Sequence, residues 1–192
     1  MSLRRSALAA LALSLGCAHR AAAPPPADVA AYFPLAVGNE WTYADESPAL
    51  RPNAPGVQRT VRIVARTADG YFRDTERGEL RADGGCLHDR LRRLLCGPVA
   101  QGTRWSSVVS ASSTERFEIA SVGEEVLTPA GRFGGCVRVR AHNRANAATD
   151  YVIETTYAPG VGPVKLETFA VVDGVVQAQV RAVLRAYRIS GR

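Results

Sequence analysis

Lysine is almost missing from this sequence, and arginine takes its place. Lys165 is the only lysine among 24 basic residues, which stand against 18 acidic ones and leave a formal net charge of +6. The arginines are spread along the whole chain, and no basic run is interleaved with aromatic residues. Because a nucleic-acid site needs basic side chains gathered on one surface, this pattern predicts a solvated arginine surface and no nucleic-acid partner.

The start of the chain lacks an apolar run that could span a bilayer as a helix, which takes about 20 residues. Ala7–Leu15 is shorter, follows two arginines, and has the size of the apolar core of a signal peptide. This run leads into Gly16 and Cys17, an order that resembles a bacterial lipobox, where a small residue precedes a lipidated cysteine. Residues 1–16 are therefore predicted to be a lipoprotein signal peptide.

Cys17 is the predicted lipidation site, with palmitate-type acyl chains that would hold the protein on a membrane. Ser14 and Leu15 stand in the reverse of the usual lipobox order, so the alternative is an ordinary secretory signal cleaved near 21–23. Ala18 follows the cysteine, and in the enterobacterial sorting scheme this resemblance implies the outer membrane. The expected location is the bacterial cell envelope, lipid-anchored at the outer membrane.

Residues 17–31 are rich in alanine and proline and offer few groups to bury. The three prolines at 24–26 favour polyproline II, which extends by about 3.1 Å per residue. This stretch is predicted to be a tether. Residues 32–192 are then expected to form a single β domain.

The sequence has no recognisable catalytic motif. It contains no GxSxG, no HExxH and no phosphate-cradling glycine loop ahead of a helix. The histidines are few: His19 in the tether, His88 and His142. The prediction is therefore that the protein is not an enzyme and needs no cofactor, and a hydrolytic enzyme is the least favoured function.

Cysteines are also few, and their number limits how they can pair. With Cys17 lipidated, an exported domain keeps Cys86, Cys96 and Cys136, so at most one internal disulfide can form. The segment between Cys86 and Cys96 can turn at Arg90–Arg92 and bring the two together across a hairpin, which favours this pair over a bridge to Cys136. A zinc site made from these three cysteines and His88 matches no known spacing, so no metal is expected.

The rest of the chain carries the signals of β-strands. Residues 57–66 alternate apolar and polar side chains, and Asp69-Gly70 and Asp173-Gly174 are typical hairpin turns. Residues 175–188 fit a helical stripe as well as an alternating strand, and strand is preferred because a tight turn comes before them. These signals predict ten to twelve short strands. The predicted fold is all-β, a strongly curved antiparallel sheet that is barrel-like or a half-barrel.

One short pattern, Pro-x3-Gly-x2-Trp, occurs twice. Its positions are Pro34, Gly38 and Trp41, and then Pro98, Gly102 and Trp105. Proline is excluded from central strands, glycine supplies a turn with positive φ, and tryptophan buries a large ring. The pattern predicts two equivalent loop-to-strand turns, one for each half of the sheet. The alternatives are a chance match and an aromatic pair that lines a ligand cavity.

Three stretches resemble a group of uncharacterised bacterial exported lipoproteins. Residues 33–43 match FPLxxGxxWxY, residues 127–139 match T/V-P-A-G-x-F-x-x-C, and residues 157–167 match APGVGxVK. The resemblance implies a curved antiparallel sheet similar to the periplasmic lipoprotein carriers. It implies no established activity.

Two non-catalytic functions fit these observations. The first is a membrane-anchored binding module whose cavity holds an apolar ligand or lipid; its expected lining, which would otherwise be core, is Trp41, Trp105, Phe117 and Phe133. The second is a structural or assembly lipoprotein that docks another envelope protein. A cavity of several hundred cubic ångströms lined by these aromatic residues would favour the first, and a packed interior with an exposed apolar patch would favour the second. A cleft with convergent polar groups at His88 or His142 would instead indicate an enzyme.

Overall fold

The computed structural model describes residues 28–47 and 57–190. The predicted signal peptide, Cys17 and most of the tether lie outside these residues. A short 3-10 helix, Val29–Tyr32, is followed by twelve strands, whose bounds are β1 Glu40–Asp45, β2 Gln58–Arg66, β3 Phe72–Asp74, β4 Glu79–Asp83, β5 Cys86–His88, β6 Arg93–Cys96, β7 Arg104–Ser110, β8 Ser113–Thr128, β9 Gly131–Arg144, β10 Thr149–Ala158, β11 Gly162–Val172 and β12 Val175–Arg188.

The strands form one antiparallel sheet that curls into a nearly closed barrel. Strands that follow each other in sequence pair with each other, except β6 and β7, and β1 pairs with β12. The order is therefore β6-β5-β4-β3-β2-β1-β12-β11-β10-β9-β8-β7. The all-β, strongly curved fold predicted from the sequence is confirmed. Residues 175–188 are a strand, and the turn before them has positive φ at Asp173 and Gly174.

The ends of the sheet, β6 and β7, meet through side chains. In the described part of the chain no backbone ladder joins them. Instead the Arg93 amide donates to Ser107 Oγ at 2.9 Å, and the Trp105 indole donates to the Arg93 carbonyl at 2.6 Å. We call this junction the seam. Its contacts occupy part of two strand edges that would otherwise be open to pairing.

The interior of the barrel is filled by its own side chains. Trp41, Leu87 and Leu184 are almost completely buried, and the 3-10 helix adds Val29 and Tyr32 to the same core. Val29 lies within the range predicted as tether, so the packed domain already includes the last residues of that range. The Trp41 indole donates to a backbone carbonyl across the barrel, which satisfies its polar group in the core.

The first Pro-x3-Gly-x2-Trp turn has a specific set of hydrogen bonds. Gly38 has a φ of 94°, and its amide donates to the Ile63 carbonyl at 2.9 Å. The Ile63 amide donates back to the Asn39 carbonyl at 2.9 Å. The Asn39 side chain donates to the Pro34 carbonyl at 2.7 Å, which closes the turn.

The second turn repeats this set. Gly102 has a φ of 86°, and its amide donates to the Ile119 carbonyl at 2.8 Å. The Ile119 amide donates back to the Thr103 carbonyl at 2.9 Å, and the Thr103 hydroxyl donates to the Pro98 carbonyl at 2.8 Å. The two turns are therefore structural equivalents, as the repeated pattern predicts.

The cysteines are arranged as the hairpin argument predicts. Cys86 and Cys96 face each other on β5 and β6 and form a disulfide. Cys136 is a buried free thiol that donates to the Phe133 carbonyl, and burial followed by the nearby Glu124 charge raises its pKa to about 11. The zinc alternative needs Cys86 and Cys96 as thiolate ligands. Because these two cysteines are bonded to each other, they cannot bind a metal in that form.

Candidate functional site

The four aromatic residues proposed as cavity lining or core do not share a cavity. Trp41 packs edge-on against Phe33 in the core, and Phe117 and Phe133 are also buried there. Trp105 is only partly buried and stacks on Phe117 with ring centroids 5.6 Å apart. Three of the four residues are therefore core, and Trp105 packs at the seam.

His88 belongs to a polar network that braces the first half of the barrel. Its Nε2 lies 2.6 Å from Asp83 Oδ1, and its Nδ1 lies 3.4 Å from the Tyr71 hydroxyl. The Tyr71 ring is 8% exposed and is contacted by the guanidinium groups of Arg81 and Arg90. The two guanidinium groups attract the face of the Tyr71 ring, and the Tyr71 hydroxyl contacts His88. Because these contacts hold the side chains in place, we interpret the cluster as structural.

His142 lies in a cleft of about 850 Å³ on the outer face of the second half. We call it the arginine cleft. Phe117 borders it, and its other lining residues are Arg104, Ser112, Ser113, Thr114, Arg116, Glu118, His142, Arg144, Asn146 and Asp150.

Strand alternation explains why these side chains face outward together. On β9, Val137, Val139 and Ala141 are buried in the core, so the residues between them point to the outer face. His142 lies directly across from Arg116 on β8, and the next outward position on β9 is Arg144. The sheet register therefore gathers two arginines and a histidine at one place.

The charges in the cleft are unevenly paired. Arg104 donates to Glu118 at 2.9 Å, which accounts for that carboxylate. Arg144 donates to the backbone carbonyls of Asn146 and Ala147. Among the described residues, neither Arg116 nor Arg144 has a carboxylate within salt-bridge distance. Positive charge is left available on this wall of the cleft.

A buried ion cluster supports the sheet next to the cleft. Glu154 on β10 accepts hydrogen bonds from Arg140 at 2.7 Å and from Arg138 at 3.0 Å. Burial opposes ionisation of Glu154, but these two hydrogen bonds outweigh it and hold the pKa of the carboxyl below its ordinary value. The cluster is thus a fixed, ionised brace across β9 and β10.

Sequence reasoning did not identify the arginine cleft. One signal was present, because residues 138–144 alternate arginine or histidine with small or apolar residues, as a strand with one basic face would. The partner row on β8 could not be assigned, since it depends on the register of two strands that each contain irregularities. His142, a candidate catalytic residue from the sequence, borders this cleft, but no hydrogen bond joins its ring to another side chain among the described residues, so none of them orients or activates it.

Among the described residues, no helix is both long enough and apolar enough to cross a membrane. In the same part of the chain, no group of three or more His, Cys, Asp or Glu side chains is placed to hold a metal ion.

No protein-family model matches the chain, and no curated protein matches it. Solved structures similar to it include a presumed lipoprotein from Parabacteroides distasonis, 14% identical with a TM-score of 0.45. Another is a presumed exported protein with a YmcC-like fold from Bacteroides fragilis, 15% identical with a TM-score of 0.48. Each similarity covers 82% of this chain and 98% of the other. At these values neither one carries an argument about function.

Proposed function

We propose that the protein is a lipid-anchored binding module of the bacterial cell envelope, and that it binds an anionic ligand in the arginine cleft. The observation that carries the proposal is the pair Arg116 and Arg144, which have no carboxylate within salt-bridge distance among the described residues and border one cleft of about 850 Å³. Guanidinium groups bind carboxylate and phosphate oxygens through paired, charge-assisted hydrogen bonds. The interior is packed with the described core residues, so the internal cavity expected for an apolar ligand is not found among them, and a ligand would have to bind on the outer surface.

The envelope part of the proposal is supported by the N-terminal sequence and by the disulfide. The lipobox-like end at Cys17 would give the chain its anchor. The Cys86–Cys96 disulfide suits an oxidising compartment outside the cytosol.

Metabolic labelling tests the anchor. Cells that express the full chain with a radiolabelled fatty acid should yield labelled protein in the membrane fraction, and Cys17→Ala should remove the label. Cys136→Ala is the control and should keep it. Unlabelled wild-type protein, or a label that survives Cys17→Ala, would refute lipidation at this residue.

Titration with a small anion tests the site. The full chain, held in phosphatidylcholine nanodiscs, is titrated with dansylglycine, a fluorescent carboxylate, and empty discs give the background. Arg116→Gln and Arg144→Gln should each raise Kd about 10-fold, because each removes hydrogen bonds to a charged group. Arg185→Gln, an exposed arginine on β12 outside the cleft, should leave Kd unchanged. Equal Kd values for the wild type and the three variants would refute the proposed site.

Docking to another envelope protein is the second candidate. It is favoured by the start of β12, where Val175 and Val176 are 60% and 64% exposed. If docking is the function, Arg116→Gln and Arg144→Gln would not change the amount of partner protein that co-purifies with the chain from membranes. Val176→Asp would abolish this co-purification.

A further inference from the structure

An apolar surface continues from the arginine cleft along the same rows of the sheet. His142 on β9 faces Val152 on β10, and Val152 faces Phe169 on β11. One row nearer the strand ends, Asp150 faces Val171, and Val171 faces Val176 on β12. Since adjacent strands are about 4.8 Å apart, the row changes from cationic to apolar within a few strand spacings.

This second surface is itself concave. It encloses about 270 Å³ and has an apolar floor of Val152, Phe169, Val171 and Val176, with Arg140, His142 and Glu154 at its border. We call it the valine groove. His142 borders both concavities, so the groove lies next to the arginine cleft.

The charges around the two concavities are distributed asymmetrically. At the valine groove Glu154 is held by Arg138 and Arg140, so its charge is compensated. The arginine cleft keeps Arg116 and Arg144 without salt-bridge partners among the described residues. Its two carboxylates are Glu118, which pairs with Arg104, and Asp150, which lies across from Arg144 in the register. One end of the combined surface is therefore cationic and the other end is apolar and locally neutral.

This inference rests on the proposed function: we propose that the ligand is an anionic amphiphile. Its carboxylate or phosphate head binds at Arg116 and Arg144, and its acyl chain lies in the valine groove. A purely polar anion would leave the groove open to water, and a neutral lipid would leave the arginines unused. Both halves of the surface are occupied only by a molecule with an anionic head and an apolar tail.

The fold gives a reason for the ligand to bind outside the barrel. The interior holds Trp41, Tyr32 and the rest of the core at nearly complete burial. An acyl chain could enter only by displacing packed side chains, whereas the groove is already accessible.

Three fluorescent probes test the inference on the full chain in phosphatidylcholine nanodiscs, with empty discs as background. Dansyl-undecanoate has both the charge and the chain, dansylglycine has the charge alone, and the methyl ester of dansyl-undecanoate has the chain alone. Dansyl-undecanoate should bind about 10-fold or more tightly than either partial probe, because it gains both burial and ion pairing.

Matched substitutions test which part of the surface binds the acyl chain and which part binds the anionic head. The pair Val152→Thr and Val176→Thr should weaken dansyl-undecanoate about 10-fold and leave dansylglycine unchanged, because threonine keeps the shape and adds a hydroxyl. Val64→Thr, an equally β-branched change at a 48% exposed position on β2, is the control. Circular dichroism and Tm of each variant show that the fold is retained.

The outcomes separate the inference from the proposed function. If both anions bind equally and both respond to Arg116→Gln, the amphiphile inference is wrong and the anion site stands. If neither anion responds to Arg116→Gln, the anion site and the inference both fail. If the ester binds as tightly as the acid and responds only to the valine changes, the surface is an apolar docking site, which overturns both.

Discussion

The two halves of the barrel begin with the same turn and then diverge. In the first half, β1–β6, no strand is longer than the nine residues of β2. In the second half, β8 has 16 residues and β9 has 14. The equivalent turns at Gly38 and Gly102 each start a β-hairpin, but only the second hairpin continues into long strands.

The two halves also differ in what surrounds their strands. The first half is held by short hairpins, the Cys86–Cys96 disulfide and the network around Tyr71, and it carries a concavity of about 460 Å³. The second half carries the arginine cleft of about 850 Å³ and the valine groove beside it. Irregularities in register, such as those within β8, bend the long strands.

The two tryptophans give the largest expected contrast. Trp41→Ala should cost about 3–5 kcal/mol, since the ring is 1% exposed and its loss leaves a cavity in the core. Trp105→Ala should cost about 1–3 kcal/mol, because that ring is partly buried at the seam. Urea unfolding of the solubilised full chain measures both. Equal losses would contradict the unequal burial of the two rings.

The disulfide should matter to the first half alone. Replacing Cys86 and Cys96 by alanine should cost about 2–3 kcal/mol, because the bridge restricts the unfolded chain across a sequence separation of 10. Dithiothreitol should lower the Tm of the wild type and leave that of the double variant unchanged. Hydrogen exchange should increase in β5 and β6 and stay the same in β8–β11. Increased exchange across the second half would show that the halves are not separable.

The two turn glycines should respond alike. Gly38→Ala and Gly102→Ala place a Cβ at positive φ, which should cost about 1–2 kcal/mol each. Gly134→Ala is the control, since a Cβ there meets nothing within 4 Å and φ is not positive. Chemical denaturation measures all three. A loss of stability at only one of the two turns would show that the equivalent hydrogen bonds of the two turns do not contribute equally to stability.

Glu154 in the second half should contribute to the loss of stability in acid. The folded pKa of Glu154 lies below its unfolded value of about 4.3, so its ion pairs stabilise the protein above that pH. This contribution is lost as pH falls through the folded pKa. Glu154→Gln should remove about 1 kcal/mol at neutral pH and flatten the stability profile below about pH 4. Glu125→Gln, whose carboxylate is 61% exposed and pairs with Arg132, should change little.

Local sequence signals were enough for much of the fold. Alternation and turn residues predicted the strands, Asp173-Gly174 predicted the last hairpin, and the spacing of Cys86 and Cys96 predicted their bridge. These features depend on residues that are close in sequence. The repeated turn was also predictable, because glycine and proline restrict the backbone in the same way at both places.

The seam and the binding surface could not be predicted in the same way. The seam joins Arg93 to Trp105 through side chains, and no local pattern signals such a bridge. The arginine cleft needs β8, β9 and β10 in one particular register, which irregularities in β8 and β9 alter. Long-range pairing decides both features, so they appear only when the sheet is assembled.

Hydrogen–deuterium exchange with dansyl-undecanoate tests the central claim most directly. The full chain in phosphatidylcholine nanodiscs is labelled with and without the probe. The account predicts slower exchange in β8–β12 around the cleft and groove, and no change in β1–β6 or in the 3-10 helix. Protection of the helix and of the core strands of the first half would place the ligand inside the barrel and contradict the account.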